Sequence, residues 1–198
     1  MHASVTFQDF IAASPHTDPV DRKKLLFVYR AVEDFAAERR CSAADFSILE
    51  AAHDAGGVKA PLERLGARVR AITGIEDALT FRDDARYDVI VVSDMIGRVP
   101  DPDALLENMV RHLAPDGLVI VTTPNGYGRR WQFTRGKLFA LFHRHGLGVN
   151  RFMNSGFFLT VSKPLRSHPA IGGFDADFAN LVPHWMASGW YVALRKNS

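Results

Sequence analysis

Short apolar runs that alternate with helical patterns constrain the fold of this chain more than any other feature of its sequence. Runs of strand length lie at 46–49, 69–72, 87–92 and 118–121. The run at 87–92 is apolar except for Asp88, which is typical of a parallel strand covered on both faces. Helical patterns separate the runs, at 58–65 and 101–113. This order predicts an α/β fold, with an open, doubly wound and mostly parallel sheet between helices.

Local signals indicate where these elements begin and end. Asp101 followed by Pro102 predicts a helix start, because aspartate caps free amides and proline fits the first turn. Gly66 is typical of a helix end. The Pro-Asp-Gly sequence at 115–117 predicts a turn before the last of the four runs.

The flanking segments are less regular. Residues 1–19 predict an arm or loop, and residues 21–40 predict a helix with one apolar stripe. Towards the C-terminus the pattern predicts a short helix at 137–144 and late strands at 157–161 and 191–194. The chain is therefore expected to be one α/β domain with a helical N-terminal extension.

Composition limits the class of protein further. Of 198 residues, 47% are hydrophobic and 23% charged, a balance that excludes a disordered or collagen-like chain. Cys41 is the only cysteine, so an internal disulfide cannot form and a reducing compartment is expected. We find neither an apolar run long enough to span a bilayer nor a signal-peptide pattern, and we therefore expect a cytoplasmic protein.

Basic residues are concentrated in one part of the chain. Residues 117–174 contain no Asp or Glu. They contain eight basic residues: Arg129, Arg130, Arg135, Lys137, Arg144, Arg151, Lys163 and Arg166. A block of one sign indicates an anionic partner or a solvated face.

Three interpretations of this basic block differ in their partner. Nucleic acid is not expected, because no recognised nucleic-acid-binding module is present. The apolar residues within 137–144, flanked by positive charge, would suit an anionic membrane surface or a lipid-linked, phosphate-bearing acceptor. We favour slightly a third interpretation, a lid on the acceptor side whose apolar face packs on the core.

Ligands of open α/β sheets bind beyond the carboxyl ends of the strands. Three such ends are recognisable here, at 50–57, 93–99 and 122–128. The first contains small residues that would let the backbone approach a ligand, although a connection without a ligand has the same appearance.

Several segments at these ends and in the runs between them match a known family. They are 48–57 (ILEAAHDAGG), 87–94 (YDVIVVSD), 99–106 (VPDPDALL), 113–121 (LAPDGLVIV) and 123–125 (TPN). With these motifs, residues 46–125 resemble the class I S-adenosylmethionine-dependent methyltransferases of the small-molecule type. Residues 125–128 and 183–191 are similar to a bacterial subgroup of that family, which we associate with cell-surface glycan or lipid gene neighbourhoods.

The resemblance divides the chain and implies a set of site residues. Residues 1–44 would be an N-terminal arm and helix, 45–125 a Rossmann-like core, and 126–198 an acceptor-side region with the last strands. The implied residues for S-adenosylmethionine are Glu50, Ala52, Asp54, Gly56, Glu76, Asp77, Ser93 and Asp94. Those implied for the acceptor are Asn125, Tyr127, Arg129, Arg130 and Arg135.

This chain departs from the family pattern in its cofactor loop. The family reads acid-x-Gly-x-Gly-x-Gly, whereas Ala52 and Asp54 replace the first two glycines here. A carboxylate at Asp54 would lie near the carboxylate of the cofactor, and two like charges about 4 Å apart cost on the order of 4 kcal/mol at an effective dielectric near 20. Rotation into solvent, protonation or a nearby arginine would relieve that cost.

Two further departures follow the second strand. Only 14 residues separate Ile72 from Tyr87, which is too few for the usual crossovers, so one βα unit is expected to be missing. The resemblance then assigns Glu76 or Asp77 to the adenine and leaves the ribose without a clear partner. Gly97-Arg98 stands where relatives often carry Glu-His.

No fixed catalytic residue is expected, because the sulfonium of the cofactor is already activated and the protein mainly aligns the acceptor. The candidates for a general base are His53, Asp94, His143 and His145. His143 and His145 alone do not predict a metal site, since zinc needs three or four ligands.

Two functions remain open at this point. The first is an S-adenosylmethionine-dependent methyltransferase that acts on a small or lipid- or glycan-linked acceptor with an anionic part. The second is a catalytically inactive relative that serves as a binding or regulatory subunit of an active partner. Both are compatible with a homo- or hetero-oligomer and with peripheral contact to a membrane.

Overall fold

The protein is described by a computed structural model. It describes residues 5–12, 14, 19–54, 57–124, 133–156, 179, 181, 183 and 187–197. The strands in this part of the chain are β1 (Ser47–Ala52), β2 (Arg68–Thr73), β3 (Tyr87–Ser93), β4 (Leu113–Pro124), β5 (Leu147–Asn154) and β6 (Gly189–Lys196). They form one sheet in the order β2-β1-β3-β4-β6-β5. The first four pair in parallel, and β6 is antiparallel to both of its neighbours.

Helices cover both faces of this sheet. They are α1 (Phe7–Ile11), α2 (Pro19–Arg39), α3 (Lys59–Arg64), α4 (Ile75–Thr80), α5 (Pro102–Arg111) and α6 (Arg135–Arg144), with a short 3-10 helix over Ala43–Asp45. The residues of α1, α2 and α3 belong to one apolar cluster, and those of α4, α5 and α6 belong to the other. The expected doubly wound α/β fold with a helical N-terminal extension is confirmed.

Strand β3 shows why its sequence is apolar at nearly every position. Val89 and Val91 pack in the cluster under α2, while Ile90 and Val92 pack in the cluster under α5. All four side chains are at most 1% exposed. A strand buried on both faces cannot alternate polar and apolar residues, which is the pattern that the sequence showed.

The predicted helix ends are also found. Asp101 accepts a hydrogen bond from the amide of Ala104 (2.9 Å), and Pro102 begins α5. Gly66 follows α3 with a φ of +83°, a conformation that glycine adopts without strain.

The local structure differs from the sequence predictions in several places. Residues 7–11 form α1 rather than an arm or loop, and residues 75–80 form α4, where no helix was predicted. Strand β5 was not predicted. The predicted turn at 115–117 lies within the bounds of β4, but the pairing shifts there from Tyr87–Leu113 to Val89–Leu118 and Asp116 has a φ of +55°, so the chain does leave the regular ladder at these residues. The expected strand at 157–161 lies outside the described residues.

The short connection between β2 and β3 agrees with the expected loss of one βα unit. It contains only the six-residue helix α4, and β2 lies at the edge of the sheet. The buried amide of Asn108 in α5 donates to the carbonyl oxygens of Ala78, Leu79 and Phe81 at 2.9–3.2 Å. One side chain thus satisfies the carbonyls at the end of α4 and holds the shortened connection against α5.

Candidate functional site

The sheet has its topological switch point between β1 and β3. The chain passes from β1 to β2 on one side and from β3 to β4 on the other, although β1 and β3 are neighbours. Connections that leave in opposite directions open a crevice beyond the carboxyl ends of the two strands, where ligands of such sheets bind. The segment after Ala52 and the segment after Ser93 border this crevice, as the sequence predicted.

Glu50 fixes the backbone that borders the crevice. Its side chain is 1% exposed, and a carboxylate oxygen accepts a hydrogen bond from the amide of Val58 at 2.5 Å. Burial raises the pKa of Glu50, while the Val58 amide and the charge of Lys24 act in the opposite direction. A Cβ on Gly57 would overlap this carboxylate, so any other residue there would have to displace the Glu50 side chain or the loop. Glu50 therefore acts on the loop, and direct contact with a cofactor stays a prediction.

His53 and Asp54 follow β1 at the crevice. The Nδ1 atom of His53 is buried without a hydrogen-bond partner among the described residues. Asp54 is exposed, so the expected rotation of its carboxylate into solvent is compatible with the structure. Gly56 lies outside the described residues.

Asp94 follows β3 and is held in an uncommon backbone conformation. Its φ is +52°, and its amide donates to the carbonyl oxygen of Thr122 in β4 at 3.0 Å. The Thr122 hydroxyl donates to Oδ1 of Asp94 at 3.0 Å. The side chain remains 36% exposed, and Ser93 beside it is buried.

Lys24 is a site residue that the sequence analysis missed. It comes from α2, is 7% exposed, and places its Nζ atom 3.0 Å from Oδ2 of Asp94. Asp21 lies 3.9 Å from the same Nζ atom. The sequence held one signal for this residue, since Lys24 directly precedes Leu25, which belongs to the apolar stripe of α2.

Glu76 and Asp77 lie in the first turn of α4, directly after β2. Both are exposed. Thr73 of β2 pairs with Ala52 of β1. Glu76 and Asp77 therefore lie beyond the carboxyl ends of the strands, as the crevice does, but one strand further out. Their assignment to the adenine stays a prediction.

The described acceptor-side residues lie on α6. Arg135 is exposed, with its guanidinium 5.9 Å from the ring centre of Phe139. The apolar face of α6 packs in the core through Leu138, Leu141 and Phe142. The lid on the acceptor side stays a prediction. Asn125, Tyr127, Arg129 and Arg130 lie outside the described residues.

The two histidines near the end of α6 differ in their surroundings. His143 is exposed, whereas the Nε2 atom of His145 lies 3.1 Å from Oδ1 of Asp103. Arg144 binds the same carboxylate at 2.7 Å. His145 therefore joins α6 to the start of α5, which is a structural role.

Neither a metal centre nor a membrane-spanning helix is present in the described ranges. No cluster of three or more His, Cys, Asp or Glu side chains there could hold a metal ion. No helix there has both the length and the apolar character to cross a membrane.

The residues at the crevice fit a cofactor with a cationic centre. The Asp94 carboxylate is fixed but accessible, and the His53 Nδ1 atom has no hydrogen-bond partner among the described residues. Ala52 and Ser93 are small side chains at the ends of the adjacent strands, so the backbone can approach a ligand closely.

Comparisons with known proteins agree with this architecture. The model of a family described as "Methyltransferase domain" matches residues 16–157. A search of curated proteins found no match.

Solved structures share the fold at low sequence identity. The methyltransferase CcbJ from Streptomyces caelestis is 12% identical, with all of both chains covered and a TM-score of 0.61. Magnesium protoporphyrin IX methyltransferase from Synechocystis, solved with S-adenosylmethionine bound, is 10% identical, with 96% of this chain and 91% of that chain covered and a TM-score of 0.54. The N-methyltransferase NodS from Bradyrhizobium japonicum is 14% identical, with 91% and 98% covered and a TM-score of 0.52.

The family match covers more than half of the chain, and the sheet order, the crevice and the structural neighbours all agree with it. The chain belongs to the methyltransferase domain family and is a class I S-adenosylmethionine-dependent methyltransferase.

Proposed function

We propose that this methyltransferase binds S-adenosylmethionine in the crevice beyond β1 and β3 and methylates a small acceptor that carries an anionic group. The cofactor supplies an activated methyl group when bound. The chain supplies the alignment: Glu50 holds the loop after β1, and Asp94 offers a fixed carboxylate at the mouth. The anionic group belongs either to a free small molecule or to a lipid- or glycan-linked one.

The acceptor class is inferred from the exposed basic residues at the start of α6. This helix follows β4, whose carboxyl end borders the same edge of the sheet as the crevice. Arg135 and Lys137 in its first turn are exposed, and no ion pair joins them to other described residues. Arg144 and Arg151, in contrast, pair with Asp103 and Asp34. Two exposed cations on the helix that follows β4, neither of them paired with an acidic residue in the described part of the chain, favour an acceptor with a phosphate or carboxylate.

A binding experiment tests the first part of the proposal. Isothermal titration of the purified protein with S-adenosylmethionine and S-adenosylhomocysteine is expected to give dissociation constants in the micromolar range. No heat and no thermal stabilisation at millimolar ligand would contradict the proposed cofactor site.

A transfer experiment tests the acceptor class. Methyl groups from labelled S-adenosylmethionine are followed into matched acceptors with and without a phosphate or carboxylate. The Arg135→Ala/Lys137→Ala variant is expected to raise KM for the anionic acceptor about tenfold or more, since each lost charge-assisted hydrogen bond is worth about 1.5–3 kcal/mol. The control is Arg111→Ala, an exposed arginine at the far end of α5. An equal effect of both changes would contradict an anionic acceptor.

A further inference from the structure

Lys24 is a charged residue on the buried face of α2. Its neighbours Leu25, Phe27 and Val28 are buried in the cluster between α2 and the sheet, and Lys24 itself is 7% exposed. Burying an ammonium group is costly unless it is paired with charges and hydrogen-bonded. Its partners therefore indicate what the residue does.

Two of the charges around Lys24, those of Asp94 and Glu50, lie in or directly after the strands that border the crevice. Asp94 accepts a hydrogen bond from the Lys24 ammonium, and Asp21 lies within ion-pair distance. Burial alone would lower the pKa of Lys24, but the charges of Asp94, Asp21 and Glu50 outweigh it and the pKa is raised. Lys24 is thus a permanent cation at the carboxyl ends of β1 and β3.

Asp94 is immobilised by this cation without being enclosed. Its Oδ2 atom accepts from Lys24 and its Oδ1 atom accepts from Thr122. A carboxylate has about four acceptor sites, so each oxygen retains capacity for a further donor. The side chain is 36% exposed, which leaves that capacity accessible to a ligand.

We propose that Lys24 is a positioning residue of the methyl-transfer site, which holds the Asp94 carboxylate at the mouth of the crevice and balances its charge. The inference rests on the proposed function, because it takes the crevice to be where the cofactor binds. It adds a residue from the N-terminal helix to a site otherwise built from loops that follow the strands.

The charge of the two cofactor forms gives a specific readout. S-adenosylmethionine carries a sulfonium cation, whereas S-adenosylhomocysteine has a neutral sulfur at the same place. Loss of the Lys24 charge leaves Asp94 unbalanced, so the cationic form gains affinity relative to the neutral form. A role in packing alone would change both affinities by the same factor.

The experiment is calorimetric titration of both ligands into wild type, Lys24→Met, Lys24→Arg and Asp94→Asn. The quantity compared is the dissociation constant of S-adenosylhomocysteine divided by that of S-adenosylmethionine. For Lys24→Met we expect this ratio to rise about tenfold, the equivalent of ~1.4 kcal/mol. Lys24→Arg keeps the charge and is expected to keep the ratio. Asp94→Asn is expected to lower it. The control is Lys196→Met. Lys196 is exposed and lies at the end of β6 that is remote from the crevice, so its substitution is expected to leave the ratio unchanged.

An unchanged ratio in Lys24→Met would overturn the proposal. If that variant does not fold, Asp94→Asn decides, because its side chain is partly exposed, and an unchanged ratio there has the same meaning. Wild-type protein that binds neither ligand would contradict the proposed cofactor site itself, which is a different result from binding with unaltered selectivity.

Discussion

The ammonium of Lys24 lies 3.0 Å from Oδ2 of Asp94, although 70 positions separate the two residues in the sequence. This contact joins α2 to the end of β3, and Thr122 joins the same carboxylate to β4. Three elements therefore meet at one side chain beside the switch point. A substitution there is expected to affect ligand selectivity before it affects the core, because Asp94 is partly exposed.

Gly57→Ala is expected to destabilise the protein by ~1–3 kcal/mol, because the added methyl group overlaps the buried Glu50 carboxylate. The loop would have to move, and weaker binding of S-adenosylhomocysteine is expected with it. Urea denaturation and calorimetric titration measure the two effects. Gly136→Ala is the control: its Cβ would meet only Thr134 at 4.0 Å, and alanine is expected to stabilise α6 by up to ~1 kcal/mol. If the two variants were equally stable, a methyl group at position 57 would not disturb the Glu50 carboxylate, and the prediction would be wrong.

Glu50→Gln is expected to gain stability relative to wild type as the pH rises. Burial raises the pKa of Glu50 above 4.5 in the folded state, so the folded protein binds the proton more tightly than the unfolded chain. Ionisation above that pH therefore costs stability, and glutamine does not ionise. Melting temperatures measured from about pH 4 to pH 8 test this, with the exposed Glu63→Gln as a control for the loss of one charge. A constant difference between Glu50→Gln and wild type would disprove the effect.

Asn108→Leu is expected to cost ~1–3 kcal/mol, since the carbonyls of Ala78, Leu79 and Phe81 lose their buried donor. Hydrogen exchange is expected to increase most in α4, which this amide holds against α5. Glu107→Gln, at the neighbouring exposed position, is expected to stay within ~0.5 kcal/mol of wild type. If the amides of α4 exchange as slowly in Asn108→Leu as in wild type, the shortened connection does not depend on Asn108.

Asp103→Asn is expected to destabilise the protein by less than ~1 kcal/mol, because the ion pair with Arg144 is exposed to solvent. The hydrogen bond from Arg144, and then that from His145, lower the pKa of Asp103 below 3.8. The contribution is therefore present above that pH and disappears as the pH falls through the lower, folded-state value. A double-mutant cycle with Arg144→Gln measures the coupling, which should vanish in acid; coupling that persists there would have another origin.

The local sequence was sufficient for elements whose signals lie within a few residues. The apolar run of β3, the Asp101–Pro102 start of α5 and Gly66 after α3 each reflect a constraint that the nearby chain imposes alone. Helix α4 and strand β5 lacked such signals. The first has six residues and depends on Asn108 of another helix, and the second is an edge strand with several exposed positions.

The sequence by itself determined the fold class and predicted that Glu50 and Asp94 lie at the carboxyl ends of neighbouring strands, because strand ends and loop motifs are local. Only the tertiary structure decided that Glu50 faces its own loop and that Lys24 reaches Asp94. The partners of a buried charge depend on how distant elements pack, and periodicity in the sequence shows which face of a helix is apolar but not which charge it will meet.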